Sequence, residues 1–531
     1  MEEIKVFVAD DVSEIGLEPL RSAGFKVEKR TGLKGDALFE AVRDVDALIV
    51  RSETKVTAEL MDAARRLRAI GRAGVGVDNI DVAAATARGI VVMNAPDGNT
   101  MTTAEHTFAL LLALARRIPQ AQTSLKAGRW ERKKFIGTEL RGKTLGIIGL
   151  GRIGRVVASR AQGFEMKVIA YDPFVSPEQA RELDIELLPL DQVFERADFL
   201  TIHTPLTPET RGIIGAQAFA RMKPGVQIVN CARGGLVDER ALYEAIKSGK
   251  VAGAALDVFS EEPLPPDHPL LALDEVVVTP HLGASTREAQ ESVAVIVAEQ
   301  LRDYFLTGSV RGAVNMPALS AQELHVLQPY LRLAEALGRF EAQVVREPVR
   351  EVRLEYAGEA ASLDAAQIAR AFLAGLLRDV SARVNVVNAL LIAEERGIAV
   401  TIAQRHSADD DSPALRAVVA TQSGEQSVAG DLFGPRAEGR ITEIDGFRIE
   451  VVPAGHMLVL HNRDVPGVIG RVGTLLGERQ INISRFHLGR RAPGGEAMAV
   501  IETDGAVGEQ TLNALRAAED VLSVCRIELQ N

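Results

Sequence analysis

The fold prediction begins from the segment Thr144-Leu145-Gly146-Ile147-Ile148-Gly149-Leu150-Gly151-Arg152-Ile153-Gly154. Its first five residues predict a buried β-strand, and the glycines that follow have the spacing G-x-G-x-x-G before a helix predicted from Arg155 to Gly163. Glycine is needed there because the turn is tight, because a pyrophosphate must approach bare backbone, and because the helix packs closely on the strand. The helix N-terminus also favours phosphate charge. The pattern therefore predicts a dinucleotide-binding loop.

The residue that refines this prediction is Asp172. It ends the next predicted strand, eighteen residues after Gly154, where a carboxylate would bind the adenosine ribose hydroxyls. The same charge would repel a 2′-phosphate, so we expect NAD rather than NADP. The alternative is a structural glycine-rich turn followed by a surface aspartate.

Outward from this loop, two long segments alternate short β-rich runs with helical stretches, which predicts two doubly wound parallel sheets and an α/β fold class. The first segment lies between Ile4 and Met93 and the second between Leu145 and Thr279. The predicted strands are Ile4–Ala9, Ala47–Arg51, Arg68–Arg72, Ile90–Met93, Lys167–Asp172, Phe199–His203, Gln227–Asn230 and Val276–Thr279.

The C-terminal part of the chain has a different pattern. Arg311 to Pro329 is less regular and is expected to be a linker, and the segment after it mixes helices with strands around an acidic turn at Asp409 to Pro413. From His456 to Leu529 the order is β-α-β-β-α-β, which is typical of a ferredoxin-like unit.

Composition excludes several classes of function. A net charge of −11 opposes non-specific binding to nucleic acid or anionic lipid. The apolar run Thr107–Ala115 is far shorter than the roughly 20 residues that span a bilayer. Cys231 and Cys525 have neither metal-site nor disulfide-framework spacing. With an acidic N-terminus that lacks a signal peptide, we expect a cytoplasmic protein that binds no metal, nucleic acid or membrane.

Polar motifs at the ends of later strands suggest the chemistry. They are Asn230–Gly235, Asp257–Pro263 and Thr279–Ala284, and the carboxyl ends of parallel strands meet in one crevice. Hydride transfer from a 2-hydroxy acid needs a base, a group that orients the base, and a cation for the carboxylate. Histidine, glutamate and arginine are all present in these motifs. A lone histidine here could also be a capping residue, and Cys231 is interpreted as a small strand-end residue rather than a nucleophile.

These motifs resemble those of the D-isomer-specific 2-hydroxyacid dehydrogenases, and the whole chain is similar to the long type of that family. The resemblance implies His281 as acid/base, Glu262 as its partner and Arg233 as substrate anchor. Glu261 remains an alternative to Glu262, which is preferred because it precedes Pro263. The NAD contacts that the motifs and the resemblance imply are Gly149, Gly151, Arg152, Ile153, Gly154, Asp172, Thr204, Cys231, Ala232, Arg233, Asp257, His281, Gly283 and Ala284.

The resemblance also implies a domain order. We expect a discontinuous substrate-binding domain at 1–98 and 285–315, an inserted NAD-binding Rossmann domain at 99–284, a mixed α+β intervening domain at 316–453 and an ACT domain at 454–531.

The first predicted sheet offers groups for a phosphorylated substrate. Arginines follow two of its strands, one of them next to a glycine-lined turn, and phosphate prefers arginine and backbone amides. The candidates are Arg51, Ser52, Arg72, Gly74, Val75 and Gly76. The alternative is that Arg51 and Arg72 are solvated charges at strand ends. Val75 stands where some relatives carry threonine, so a cofactor contact by that side chain is not carried over.

For the C-terminal unit, resemblance to ACT domains implies an amino-acid effector held between copies of the chain. The implied serine contacts are Asn462, Asp464 and Asn482, and the resemblance to long-type relatives also implies a homo-oligomer, a tetramer. The alternative is a dimerisation module whose polar residues belong to turns and strand edges.

Taken together, the resemblance implies NAD-dependent oxidation of D-3-phosphoglycerate to 3-phosphohydroxypyruvate, the first step of phosphorylated L-serine biosynthesis, under serine feedback. Two rival functions remain open. One is a glyoxylate or hydroxypyruvate reductase, which the arginines and the ACT-like tail disfavour. The other is a binding protein that senses nicotinamide or serine, which His281, Glu262 and Arg233 disfavour.

Overall fold

The computed structural model describes residues 3–319, 321–381, 383–405 and 413–529, so most of the predicted acidic turn at Asp409 to Pro413 lies outside the described residues. Its first sheet is parallel, with the order β2-β1-β3-β4-β5. Helices cover both faces of the sheet, which is why a strand such as Ala47–Val50 is buried along its whole length. The strands are β1 (Lys5–Val8), β2 (Lys26–Lys29), β3 (Ala47–Val50), β4 (Ala69–Arg72) and β5 (Val91–Asn94).

Strand β2 was not predicted from the sequence. It reads Lys-Val-Glu-Lys and is only partly buried, because it forms the edge of the sheet and needs few apolar residues. The helices of this unit are α1 (Glu18–Ser22), α2 (Asp36–Ala41), α3 (Ala58–Ala63) and α4 (Val82–Ala87).

The second sheet is also parallel, with the order β12-β11-β10-β9-β6-β7-β8, so the fold class is confirmed. Its strand order reverses at the pair β6 and β9, and ligands of doubly wound sheets bind outside the strand ends at such a reversal. The strands are β6 (Thr144–Ile148), β7 (Lys167–Tyr171), β8 (Glu186–Leu187), β9 (Phe199–Ile202), β10 (Val226–Asn230), β11 (Val251–Leu256) and β12 (Val276–Val278).

The helices around this sheet begin with α5, which follows directly on the first unit. The helices are α5 (Thr100–Ala115), α6 (Ile118–Lys126), α7 (Arg152–Gly163), α8 (Pro177–Glu182), α9 (Leu190–Arg196), α10 (Ala216–Arg221) and α11 (Glu239–Lys247).

Strand β11 was not predicted from the sequence, because Val-Ala-Gly-Ala-Ala-Leu is poor in β-branched residues. Its burial between β10 and β12 stabilises it instead.

Helix α12 (Arg287–Thr307) returns the chain to the first sheet. The Thr286 side chain caps its start, and Val297 and Leu301 are buried in the same core as β1, β3 and β4. The chain then runs beside β5, where the Val314 N–H donates to the Val92 carbonyl. The first unit is therefore built from two segments of the chain, one before the second unit in the sequence and one after it.

The third unit begins with helix α13 (Ala321–Val344), so the linker predicted up to Pro329 is wrong in its second half. Pro329 lies inside the helix, and the buried side chains of Leu327, Leu333 and Leu337 stabilise it despite the missing N–H. Helices α14 (Ala365–Leu376) and α15 (Ala389–Glu395) follow. The sheet is mixed, ordered β14-β13-β15-β16-β17-β18, with strands β13 (Glu351–Ala357), β14 (Ala399–Arg405), β15 (Leu415–Ala420), β16 (Glu425–Phe433), β17 (Glu438–Ile444) and β18 (Phe447–Val451).

The last unit is an antiparallel sheet ordered β20-β21-β19-β22, and the predicted β-α-β-β-α-β order is confirmed. One sheet face packs on the two helices of the unit and the other packs toward α13. Its elements are β19 (Gly455–Arg463), α16 (Val468–Glu478), β20 (Ile483–Arg490), β21 (Glu496–Thr503), α17 (Glu509–Arg516) and β22 (Val521–Leu529). A search of the described helices finds none with the length and apolarity to cross a membrane.

Candidate active site

The glycine loop between β6 and α7 has different needs at each glycine. Gly149 has a φ of 92°, and a Cβ at Gly154 would collide with the Gly149 carbonyl, so the protein itself requires both glycines. A Cβ at Gly151 would meet nothing within 4 Å among the described residues. Gly151 therefore leaves space for an outside group beside the start of α7, as a pyrophosphate would need.

Asp172 is held in place by the same loop. Its Oδ2 accepts from the Leu150 N–H at 2.7 Å and its Oδ1 from the Phe174 N–H at 2.8 Å. The carboxylate thus lies at the end of β7, next to the glycine loop, where it suits the hydroxyls of a ribose. Nearby, Arg152 forms an ion pair with Asp97 at 2.6 Å, and both side chains are exposed.

An imidazole–carboxylate pair lies beyond β12. His281 Nδ1 is 2.7 Å from Glu262 Oε2, and Glu262 Oε1 accepts from the Phe259 N–H at 3.0 Å. Of the two candidate glutamates, it is therefore Glu262 that contacts His281. Burial raises the Glu262 pKa, but the hydrogen bonds from His281 and the Phe259 amide outweigh it and hold the pKa below its ordinary value. With Nδ1 engaged, Nε2 is the nitrogen that can reach a substrate.

A cluster of guanidinium groups lies between the two parallel sheets. Arg233, after β10, is 3.2 Å from Asp78 of the first unit, and its NH1 donates to the Ala232 carbonyl. Arg72, at the end of β4, is largely buried; burial first, then the charges of Arg233 and Arg51, lower its pKa to about 10. Its Nε has no hydrogen-bond partner among the described residues. Cations this close repel one another, and an anion placed between them would relieve the repulsion.

The glycine-lined turn after β4 packs directly on these guanidiniums. A Cβ at Gly74 would collide with Arg72, and one at Gly76 with Arg233. The Val75 carbonyl accepts from Asn94 Nδ2 at 2.5 Å, which fixes the turn to the end of β5. Of the other predicted substrate residues, Arg51 donates to the Asp11 carbonyl at 3.0 Å and Ser52 is exposed beside it.

Asp257, at the end of β11, is fully buried and accepts several hydrogen bonds. Its donors are the Thr279 hydroxyl at 2.6 Å, the Leu282 N–H at 2.7 Å and the Gly283 N–H at 2.8 Å, and His106 Nε2 lies 3.1 Å away. Burial raises its pKa, but the bonds from His106, Thr279 and the Leu282 amide outweigh burial and lower it. Asp257 therefore remains ionised inside the protein.

His106 and Asp78 were not predicted as site residues. His106 directly precedes the apolar run Thr107–Ala115 of α5, and its local sequence did not distinguish it from the polar residues around it. Asp78 gave no signal, because its partner Arg233 is 155 residues away along the chain.

The thiol of Cys231 faces the apolar interior. Burial, together with the charge of Asp257, raises its pKa to about 12 against a smaller opposing bond with Thr107. The thiol therefore stays protonated, in agreement with its interpretation as a strand-end residue rather than a nucleophile. At the end of β9, the Thr204 hydroxyl is buried and has no partner among the described residues.

The predicted cofactor residues share one location, beyond the carboxyl ends of the second sheet. The glycine loop and Ile153 follow β6, Asp172 follows β7, Thr204 follows β9, Cys231, Ala232 and Arg233 follow β10, Asp257 follows β11, and His281, Gly283 and Ala284 follow β12.

The three predicted effector residues are not together in one chain. Asn462 is buried at one end of β19, and Asp464, just beyond it, accepts from the Gly494 N–H at 3.1 Å. Asn482 precedes β20 at the other end of the sheet, where its amide donates to Asp504 at 2.7 Å. Strand β21, which pairs with both β19 and β20, is about 20 Å long between these two ends of the sheet.

Comparison with known proteins matches the chain to protein families in three segments. Residues 108–283 match the NAD binding domain of D-isomer specific 2-hydroxyacid dehydrogenases, residues 326–445 the D-3-phosphoglycerate dehydrogenase intervening domain, and residues 456–520 the ACT domain. The chain is 46% identical to a D-3-phosphoglycerate dehydrogenase of Archaeoglobus fulgidus, over 99% of this chain and 100% of the relative. The chain belongs to the D-isomer-specific 2-hydroxyacid dehydrogenase family.

Two further proteins are similar to the full chain or to part of it. A D-3-phosphoglycerate dehydrogenase of Bacillus subtilis is 42% identical over 99% of each chain. A solved D-lactate dehydrogenase of Aquifex aeolicus, complexed with NAD and lactic acid, is 28% identical with a TM-score of 0.52, and covers 59% of this chain and 100% of its own. The domain that holds the glycine loop is thus the NAD-binding domain of an NAD-dependent dehydrogenase.

Proposed function

We propose that this enzyme oxidises D-3-phosphoglycerate to 3-phosphohydroxypyruvate with NAD, the first step of phosphorylated L-serine biosynthesis. The proposal is carried by two features together: the cluster of Arg51, Arg72 and Arg233, and the His281–Glu262 pair. A substrate with both a carboxylate and a phosphate offers two anionic groups to these three guanidiniums. The full-length relatives named D-3-phosphoglycerate dehydrogenase support the same substrate.

The proposed mechanism assigns each step to a residue. His281 Nε2 accepts the C2 hydroxyl proton, and Glu262, ionised because of its lowered pKa, stabilises the imidazolium. Arg233 binds the carboxylate and polarises the forming carbonyl. The glycine loop and Asp172 would hold NAD, which supplies the acceptor for the C2 hydride when bound.

The test is initial-rate formation of NADH with D-3-phosphoglycerate, D-glycerate and D-lactate at equal concentration. We expect kcat/KM for D-3-phosphoglycerate to exceed that for D-glycerate at least about 100-fold, because the unphosphorylated acid has no phosphate to pair with Arg51 and Arg72. Equal kcat/KM for the two acids would contradict the substrate assignment. Faster reduction of glyoxylate or hydroxypyruvate than of 3-phosphohydroxypyruvate would favour the rival reductase, and no turnover of any acid would favour a sensor.

For regulation, we propose that L-serine binds between two copies of the ACT domain, with Asn462 and Asp464 from one copy and Asn482 from the other. The separation of these residues in a single chain supports a shared site and therefore a homo-oligomer, which we propose is a tetramer. Calorimetry of serine binding with and without NADH tests the coupling, because linkage requires equal and reciprocal effects. Identical serine affinities in the two titrations would exclude coupling to the cofactor.

We also propose the domain assignment 1–98 with 285–315 for substrate binding, 99–284 for NAD, 316–453 as the intervening domain and 454–531 as the ACT domain. The return of α12 to the first sheet supports the discontinuous first domain. A cytoplasmic location is proposed as well, supported by the free thiols of Cys231 and Cys525.

A further inference from the structure

A second imidazole–carboxylate pair lies behind the catalytic histidine. His106, on α5, places Nε2 3.1 Å from Asp257 Oδ1 and 3.3 Å from the Thr279 hydroxyl. The Asp257 side chain is fully buried and the His106 side chain is 18% exposed. His106 lies in neither the acid/base pair nor the arginine cluster, so its buried polar ring has another role.

Asp257 holds the segment that carries His281. The Asp257 carbonyl accepts the His281 N–H at 2.8 Å, and its carboxylate accepts the N–H groups of Leu282 and Gly283, the residues that follow. His281 has a φ of 55°, a backbone conformation that a residue other than glycine adopts only when its surroundings impose it. The direction of the His281 ring therefore depends on the position of Asp257.

His106 in turn limits where Asp257 can lie. Asp257 Oδ1 is shared by His106, Thr279 and Leu282, so the imidazole N–H closes the side of the carboxylate that faces α5. Helix α5 contacts the same segment again where the Thr103 hydroxyl donates to the Gly283 carbonyl at 3.1 Å. The segment that carries His281 is thus fixed between β11 on one side and α5 on the other.

We propose that His106 is a positioning residue for catalysis. It donates its Nε2 proton to Asp257 and thereby keeps the backbone of residues 279–283, and with it the His281 ring, in the orientation that accepts the substrate proton. His106 contacts neither substrate nor reacting atoms in this role. The proposal rests on the proposed function, because it presumes that His281 is the base.

The experiment compares His106→Leu, which removes the donor at similar volume, with His106→Gln, whose amide nitrogen can reach the position of Nε2. We expect the leucine variant to lose about 10- to 100-fold in kcat, with KM for D-3-phosphoglycerate changed less than about twofold, because the arginine cluster is untouched. The glutamine variant should recover most of kcat. The matched control is His325→Leu, an exposed histidine on α13, which should keep wild-type kinetics.

The outcomes separate this proposal from the function itself. A leucine variant with more than half of wild-type kcat, or leucine and glutamine variants with equal losses, would overturn the role of the donor. If the leucine variant does not fold, His106→Asn replaces it, since its shorter side chain cannot reach Asp257; equal kcat for Asn and Gln would then refute the proposal. If His281→Ala retains turnover, the assignment of the base fails and the positioning role of His106 fails with it. If the wild-type enzyme does not turn over D-3-phosphoglycerate, the proposed function fails regardless of His106.

Discussion

The two imidazole–carboxylate pairs use the same chemical groups in opposite surroundings. In the His281–Glu262 pair the side chains are 49% and 37% exposed, and in the His106–Asp257 pair they are 18% and 0% exposed. A proton can be exchanged with a substrate only where the ring meets the crevice. Exposure, rather than residue type, therefore separates an acid/base pair from a pair that fixes a loop.

The donors around each carboxylate differ in the same way. Asp257 accepts from side chains and from backbone amides on several elements, whereas Glu262 is bonded to His281 and the Phe259 amide. A fully buried charge needs many donors to offset its desolvation. A half-exposed carboxylate keeps water as an additional donor. Removal of the Asp257 carboxylate should therefore have very different consequences from removal of the Glu262 carboxylate.

The largest effect is expected from His281→Ala. Loss of the base should lower kcat by about 10² to 10⁴, because proton transfer from the C2 hydroxyl has no other positioned acceptor. NADH affinity, followed by fluorescence titration, should stay close to wild type. His325→Ala serves as the control, and wild-type turnover in His281→Ala with intact NADH binding would refute the assignment of the base.

Asp257→Asn should break the buried pair. The substitution removes a charge that accepts several hydrogen bonds, and we expect the free energy of unfolding to fall by about 2–4 kcal/mol. The denaturant midpoint of the NAD-binding domain checks this. A loss below 1 kcal/mol would mean that the internal donors do not hold an ionised Asp257, contrary to its lowered pKa.

Arg72→Met should weaken substrate binding and leave both imidazole–carboxylate pairs intact. We expect KM for D-3-phosphoglycerate to rise about 10- to 100-fold while kcat falls less than about threefold, since one charged hydrogen bond to the anion is lost. Inorganic phosphate should raise the melting temperature of wild type more than that of the variant. An unchanged KM would place the phosphate away from this arginine.

Glu262→Gln should have the smallest effect on stability. The lowered Glu262 pKa means that its ionised form contributes stability at pH values above its ordinary pKa of 4.5, and that this contribution is lost as pH falls through the lower folded pKa. Because the pair is exposed, the contribution should be under about 1 kcal/mol. Melting curves of both proteins should therefore differ slightly at neutral pH and converge in acid; divergence in acid would contradict the sign.

Much of the fold could be predicted from local sequence. The alternation of apolar strands and helices predicted the two parallel sheets and the ferredoxin-like unit, because burial on both faces of a sheet demands runs of apolar residues. Strands β2 and β11 were not predicted. Strand β2 lies at the edge of its sheet and tolerates charge, and β11 is a central strand that its neighbours stabilise. The predicted start of α13 lay too far along the chain, because Pro329 was taken to exclude a helix that tertiary packing stabilises.

Local sequence was enough to place the glycine loop, the aspartate after β7 and the candidate catalytic residues at strand ends, because backbone geometry and chain direction impose those features locally. Only the tertiary structure decided which distant side chains meet. It decided between Glu262 and Glu261 as the contact of His281, and it paired Asp78 with Arg233 and His106 with Asp257 across 151 residues. Such contacts depend on how whole elements pack, and the periodicity of a sequence carries no record of which polar groups will share a buried space.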